Sequence, residues 1–315
     1  MKNRILLLSF LLLVFSSLIA AQEIKHPPGN YAVVNGKKLW YETEGQGEPV
    51  LLIPGGPGNS HTYFHPWFSA LAKNFKVIYF DAYGRGKSDR AKSPDQYSFK
   101  GDVEDIEGLR KTLGIEKWDI IGHSYGGMVA QQYALDYPNS VNKLILMSTF
   151  YSGEMWQEND NSSNYEIRNQ YPEVWEKVMK LRNEGESSSS KEHIKTYSVP
   201  SGLLYFYDAS NAYKVRKDSL IMNTIVYYQI AGKDADFLIS GDIGPLDFRS
   251  QLKTLMMPVL ILAGRFDRIS IPRFSIKYKE YAPQAEFVMF EKSGHSMFVE
   301  EPEKTFKVIT EFLKQ

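Results

Sequence analysis

The chain has no cysteine in 315 residues. Disulfides, thiolate metal sites and a thiol nucleophile are therefore excluded, and stability must come from an ordinary apolar core, which a chain of this length can supply. Neither charge is in excess: 37 Lys and Arg face 37 Asp and Glu. Such a balance gives no general attraction to nucleic acid, anionic membrane or acidic ligands, so a substrate must be recognised locally. The sequence also lacks a Gly-x-x-x-x-Gly-Lys phosphate loop, a dinucleotide fingerprint after its first strand, and any internal repeat. No histidine–carboxylate pair has ligand spacing on a shared element, as His-Glu-x-x-His would, so neither metal nor cofactor is expected.

Long apolar runs are confined to the N-terminus. Lys2 and Arg4 precede an uncharged stretch from Ile5 to Ala21, and a polar sequence begins at Gln22. This is the pattern of an export signal over residues 1–21, which predicts a periplasmic or extracellular protein. Ala20 and Ala21 suit cleavage, although Leu18 and Ile19 fall where a small residue is usual. The run also reaches the lower end of the roughly 17–25 residues that span a bilayer, so a retained membrane anchor is the alternative.

From Tyr31 to Tyr41 two apolar-alternating runs flank Asn35-Gly36, which predicts a hairpin because both turn residues tolerate positive φ. Short apolar runs then recur at Val50–Ile53, Val77–Phe80, Trp118–Ile121, Leu144–Met147, Val259–Leu262 and Phe287–Phe290. Helix-length amphipathic stretches lie between several of them, at Val103–Leu113, Met128–Tyr137 and Lys304–Leu313. The alternation predicts an α/β fold, a mostly parallel sheet with helices on both faces. It stops between Phe150 and about Gln251, where the chain is rich in Tyr, Trp and charge and includes the low-complexity Glu186–Ser190. This segment reads as an insertion that leaves the sheet and returns. Residues 22–149 and 251–315 then form one core, and 150–250 a helical insertion. Within it, Tyr171–Asn183 puts Val174, Val178 and Leu181 on one helical face.

Gly122-His123-Ser124-Tyr125-Gly126 stands where a strand passes into a helix. A sharp turn there needs glycines because neighbouring elements leave no room for Cβ atoms, and it pushes the Ser124 hydroxyl outward as a nucleophile. Serine needs a base to take its proton and an acid to orient that base. Of six histidines, His295 follows the last strand pattern and precedes the final helix, the place for the base, while His123 should point away from Ser124. Asp267 follows the buried run Val259–Leu262 and is the expected orienting acid; the competing reading is a surface ion pair with Arg265 or Arg268. The Gly-rich loop Pro54–Gly58 follows the Val50–Ile53 strand, and the Gly56 and Tyr125 N–H groups are the expected oxyanion donors.

Together these residues resemble the α/β-hydrolase superfamily. Gly55-Gly-Pro-Gly-Asn-Ser-His61-Thr-Tyr63-Phe64 resembles the oxyanion-loop signature of the prolyl iminopeptidases, which are serine aminopeptidases, and Asp81–Ser88 is similar to that family's Asp-x-x-Gly-x-Gly-x-Ser loop. The resemblance implies an α/β-hydrolase fold with a helical lid at 150–250 and a cofactor-independent enzyme forming an acyl-enzyme on Ser124. It further implies release of N-terminal residues, proline among them, from short peptides or amino-acid amides. A carboxylesterase on the same triad is the alternative, since the fold does not choose the leaving group. A non-catalytic binding protein on the same fold is a remoter one. Two departures stand out. Pro54 replaces the histidine usual before the Gly-Gly pair. The family's lid acids for a substrate amine have no alignable counterpart either, leaving Glu173, Glu176, Glu184, Asp208, Asp234, Asp236 and Asp242 all as candidates.

Overall fold

The computed structural model describes residues 26–215 and 222–315. The expected export segment lies outside the described residues, among which no helix is long and apolar enough to cross a membrane.

Eight strands form one sheet: β1 (Gly29–Val34), β2 (Lys37–Glu44), β3 (Pro49–Ile53), β4 (Lys76–Phe80), β5 (Trp118–His123), β6 (Val141–Met147), β7 (Val259–Gly264) and β8 (Glu286–Phe290). Their order is β1-β2-β4-β3-β5-β6-β7-β8. The expected hairpin forms β1 and β2 as an antiparallel pair, with Asn35 at φ 50° and Gly36 at φ 78°. β2 also meets β4 antiparallel, and the other neighbours run parallel.

The central strands read as continuous apolar runs because both sheet faces are covered. Leu51, Ile53, Ile120, Leu144, Leu146 and Ile261 face one core; Val50, Leu52, Ile121, Ile145, Leu260 and Leu262 face the other. Helices α1 (Phe99–Thr112) and α2 (Tyr125–Asp136) cover the first face through Val103, Ile106, Leu109, Met128 and Val129. The C-terminal helix Pro302–Lys314 covers the second through Ile309, Phe312 and Leu313. Each such side chain, fully buried, contributes about 1.5–3 kcal/mol by removal from water.

Between β6 and β7 the chain builds helices α3 (Gly153–Gln170), α4 (Pro172–Asn183), α5 (Lys191–Leu203) and α6 (Thr224–Ala231). The expected face of α4 holds: Val178 is buried and Val174 and Leu181 are half-buried. Val178, Ile167, Tyr197 and Leu204 form a small separate core. The low-complexity serine run is ordered in place. Ser188 donates to Asp234 through both N–H (3.0 Å) and Oγ (2.9 Å), and Arg182 grips the same carboxylate with two hydrogen bonds of 2.6 and 2.8 Å.

Candidate active site

Ser124 sits between β5 and α2 with φ 55° and ψ −125°, a backbone shape unfavourable for any residue but glycine and held here by packing on every side. A Cβ on Gly126 would strike the carbonyl oxygens of Ile53 and Pro54, and one on Gly122 would come within 2.5 Å of the Gly126 oxygen. The glycines around Ser124 therefore let β3, β5 and α2 approach closely enough to hold the turn. The Ser124 N–H donates to Met147 O (2.9 Å), and its carbonyl accepts from Thr149 Oγ1 (2.6 Å).

His295 and Asp267 meet as expected. The His295 Nδ1 lies 3.1 and 3.0 Å from the two Asp267 oxygens, and both residues are buried. Asp267 Oδ1 also accepts from the N–H groups of Ile269 (2.8 Å) and Ser270 (2.7 Å), which fixes the carboxylate independently of the histidine. The surface-pair reading fails: Arg265 binds Glu291, and Arg268 reaches Glu166 and the carbonyls of Leu203 and Phe206. His295 Nε2, the nitrogen that would face a nucleophile, is buried with no hydrogen-bond partner.

Gly56, at φ 50°, lines the same cavity as Ser124. Tyr125 opens α2, where the first N–H groups of a helix have no intrahelical acceptor. Two further residues, missed in the sequence, tie the oxyanion loop to the histidine loop. Gly55 N–H donates to Tyr63 Oη (2.6 Å), and Tyr63 Oη donates to His123 Nδ1 (2.9 Å). His123 Nε2 then donates to the carbonyl of His295 (3.1 Å). Burial, with His295 alongside, pushes the His123 imidazole well below its usual pKa, so it is neutral, with its one proton on Nε2. His123 does turn away from Ser124, and this is where it goes. The loop that lacks a histidine at Pro54 is gripped through Tyr63 instead. The signal was present in the spacing: Tyr63 follows the glycines within the loop, and His123 precedes the serine.

The cavity over Ser124 has a volume of about 160 Å³. Phe150, Trp156, Tyr205, Tyr227 and Tyr228 line it, and two carboxylates enter it, Asp160 and Asp236. Of the seven candidate acids only Asp236 reaches it. Asp234 is occupied by Arg182 and Ser188, and Asp242 accepts from the Phe99 N–H at the start of α1. Glu173, Glu176, Glu184 and Asp208 are exposed. Asp236 Oδ2 meets His193 Nε2 at 3.0 Å and accepts from Tyr228 Oη at 3.4 Å. Asp160, absent from the candidates, has a buried Oδ2 with no partner; burial and then the neighbouring Asp236 hold its carboxyl well above the usual range. Helical spacing could have found it, since Trp156, Asp160 and Ser163 fall on one face of α3 and all line the cavity.

Comparison with known proteins agrees with this geometry. Residues 48–302 match the family described as the alpha/beta hydrolase fold. A proline iminopeptidase of Heyndrickxia coagulans is 30% identical over 87% of this chain and 93% of its own length. Among solved structures, the proline iminopeptidase of Mycobacterium smegmatis superposes with a TM-score of 0.73 at 19% identity, covering 91% of this chain and 98% of that one. An esterase of Exiguobacterium antarcticum does so at 0.66 and 22%, covering 91% and 100%. The last two identities speak to the fold alone. The chain is a hydrolase of the α/β-hydrolase superfamily, and its place in it is with the proline iminopeptidases.

Proposed function

We propose that the chain is a serine aminopeptidase of proline iminopeptidase type, acting through an acyl-enzyme on Ser124. In this reading His295 Nε2 takes the Ser124 proton as Oγ attacks the carbonyl carbon, and Asp267 stabilises the imidazolium. The Gly56 and Tyr125 N–H groups receive the developing oxyanion. His295 returns its proton to the departing amine nitrogen as the C–N bond breaks, and water, deprotonated by the same histidine, hydrolyses the ester.

The observation that carries the choice of substrate is the carboxylate pair Asp160 and Asp236 in the cavity that holds Ser124. Two acids sharing an enclosed space resist ionising together, and a cation placed between them relieves both. The α-ammonium of a peptide's first residue is such a cation, and a volume of about 160 Å³ suits one small N-terminal residue beside the scissile carbonyl. A plain ester gives the pair nothing to bind, which is why the esterase reading ranks second despite the shared fold. The export pattern of residues 1–21 supports a periplasmic or extracellular location for this activity, which N-terminal sequencing of secreted material would check.

The test compares hydrolysis of proline and other amino-acid naphthylamides with their N-blocked forms and with p-nitrophenyl esters of short acids. Cleavage of the free-amine amides, lost on blocking, is the expected result. Ester cleavage indifferent to a free amine, without amide cleavage, would replace the aminopeptidase with a carboxylesterase.

A further inference from the structure

A second cluster of polar side chains lies outside the catalytic cavity and is assembled from three stretches of chain. Glu42, on β2, is completely buried. His61 and His65 come from the turn that follows the oxyanion loop, and both are buried. His26 closes the group from the segment leading into β1, with its side chain about one-third exposed. One oxygen, Glu42 Oε2, lies 3.2 Å from His26 Nδ1, 3.2 Å from His61 Nε2 and 3.3 Å from His65 Nε2. All four ligand atoms fall within 4.8 Å of one another.

These groups satisfy one another only in part: His26 Nδ1 is hydrogen-bonded to Glu42 Oε2 at 3.2 Å. His61 Nδ1 is committed to Asp81 Oδ1 at 2.7 Å, which leaves Nε2 as the ring atom that faces the Glu42 carboxylate at 3.2 Å. Neither His61 Nε2 nor either nitrogen of His65 makes a hydrogen bond. Lys87 approaches only the other carboxylate oxygen, Oε1, at 3.7 Å, from a half-exposed position. Ring nitrogens and a carboxylate oxygen converging in a buried place call for a positive charge among them, a proton or a metal ion.

The distances say which kind. Zinc bonds nitrogen and carboxylate oxygen at about 2.0–2.2 Å in a tetrahedron, which sets neighbouring ligand atoms roughly 3.3 Å apart. The three separations from Glu42 Oε2 already have that length, and the histidine nitrogens, all within 4.8 Å of one another, would close toward it around a bound ion. The outer partners are also those of a metal site: Asp81 holds the far nitrogen of His61, and Trp40 Nε1–H donates to Glu42 Oε1 at 3.0 Å. We propose that His26, Glu42, His61 and His65 form a structural site for a tetrahedral divalent cation of the zinc class. It ties the entry to β1 and strand β2 to the turn His61–Phe64, whose Tyr63 anchors the oxyanion loop. The sequence expectation of no metal rested on ligand spacing within single elements, and this set spans three.

The test strips the full, tag-free chain with a chelator, dialyses it against Zn²⁺ and measures retained metal and Tm, with Co²⁺ as a spectroscopic probe. One equivalent of zinc per chain, a raised Tm and the intense visible spectrum of four-coordinate cobalt are expected. His26→Ala, at an exposed position, should fold normally and weaken zinc binding at least tenfold; His65→Gln should do the same from the buried side. Zinc retention and Tm in wild type equal to those of His26→Ala would overturn the proposal and leave a proton shared among the histidines and Glu42. A weak, six-coordinate cobalt spectrum would overturn the tetrahedral ligand set.

Discussion

The two walls of the cavity differ in how far their polar groups are satisfied before any substrate arrives. On the sheet side, Asp267 holds two backbone N–H groups as well as His295, and the oxyanion loop is bonded through Tyr63 and His123 to the histidine loop. The exception is His295 Nε2, the atom to which the proposed mechanism gives the moving proton. On the lid side, Asp160 keeps a buried oxygen unbonded, beside a second acid. A satisfied, rigid wall costs no reorganisation when charge develops in the transition state. An unsatisfied one favours whichever ligand brings the missing cation. In the proposed function the comparison separates the chemistry, assigned to the sheet side, from the selection of substrate, assigned to the lid.

Substitutions on the two walls should therefore fail in different ways. The largest effect is expected from Ser124→Ala, which should lower kcat by about 10⁶-fold on every substrate and abolish labelling by a fluorophosphonate probe. Persistent labelling would move the nucleophile elsewhere. Asp267→Asn should keep the fold and lose about 10⁴-fold in kcat, again on amides and esters alike. Circular dichroism with steady-state kinetics checks both halves of that statement. Tyr63→Phe leaves the Gly55 N–H and His123 Nδ1 buried without their partner. It should cost about 1–3 kcal/mol in urea unfolding, with a smaller fall in kcat than either triad change.

The smallest effect, and the one of opposite sign, concerns stability on the lid side. Asp160 is held well above its ordinary pKa in the folded chain. Above about pH 4 the unfolded chain has lost a proton that the folded chain still binds, so this site erodes stability as pH rises toward the folded pKa. Asp160→Asn removes that term. Its Tm should exceed that of wild type at neutral pH and converge with it below about pH 4. A Tm lowered at every pH would show that Asp160 is a satisfied structural acid, and the contrast between the walls would fall.

The same contrast explains what could be read from the sequence. Every strand of the sheet was legible, because burial on both faces leaves continuous apolar runs such as Val259–Leu262, and the Asn35-Gly36 turn has few other uses. The positions of Ser124, Asp267 and His295 were legible for a related reason: each lies in the loop that follows a strand, so backbone topology locates it. The lid obeys no such rule. Its helices pack through side chains, and nothing local distinguishes Asp236, which enters the cavity, from Asp234 two residues earlier, which binds Arg182. Asp160 was overlooked in a run of polar residues, although helical spacing puts it on one face of α3 with Trp156 and Ser163. His26, Glu42, His61 and His65 are separated in sequence and meet only because β2 lies beside the turn that follows the oxyanion loop.

The most direct test of the account is the discrimination between free-amine and N-acetylated proline naphthylamide, measured as the ratio of kcat/KM values in wild type and in Asp160→Asn. A wild-type preference for the free amine that falls by about 10²-fold in the variant, with hydrolysis of short p-nitrophenyl esters unchanged, is the predicted result. An unchanged ratio in the variant would contradict the assignment of the lid carboxylates to the substrate's ammonium group.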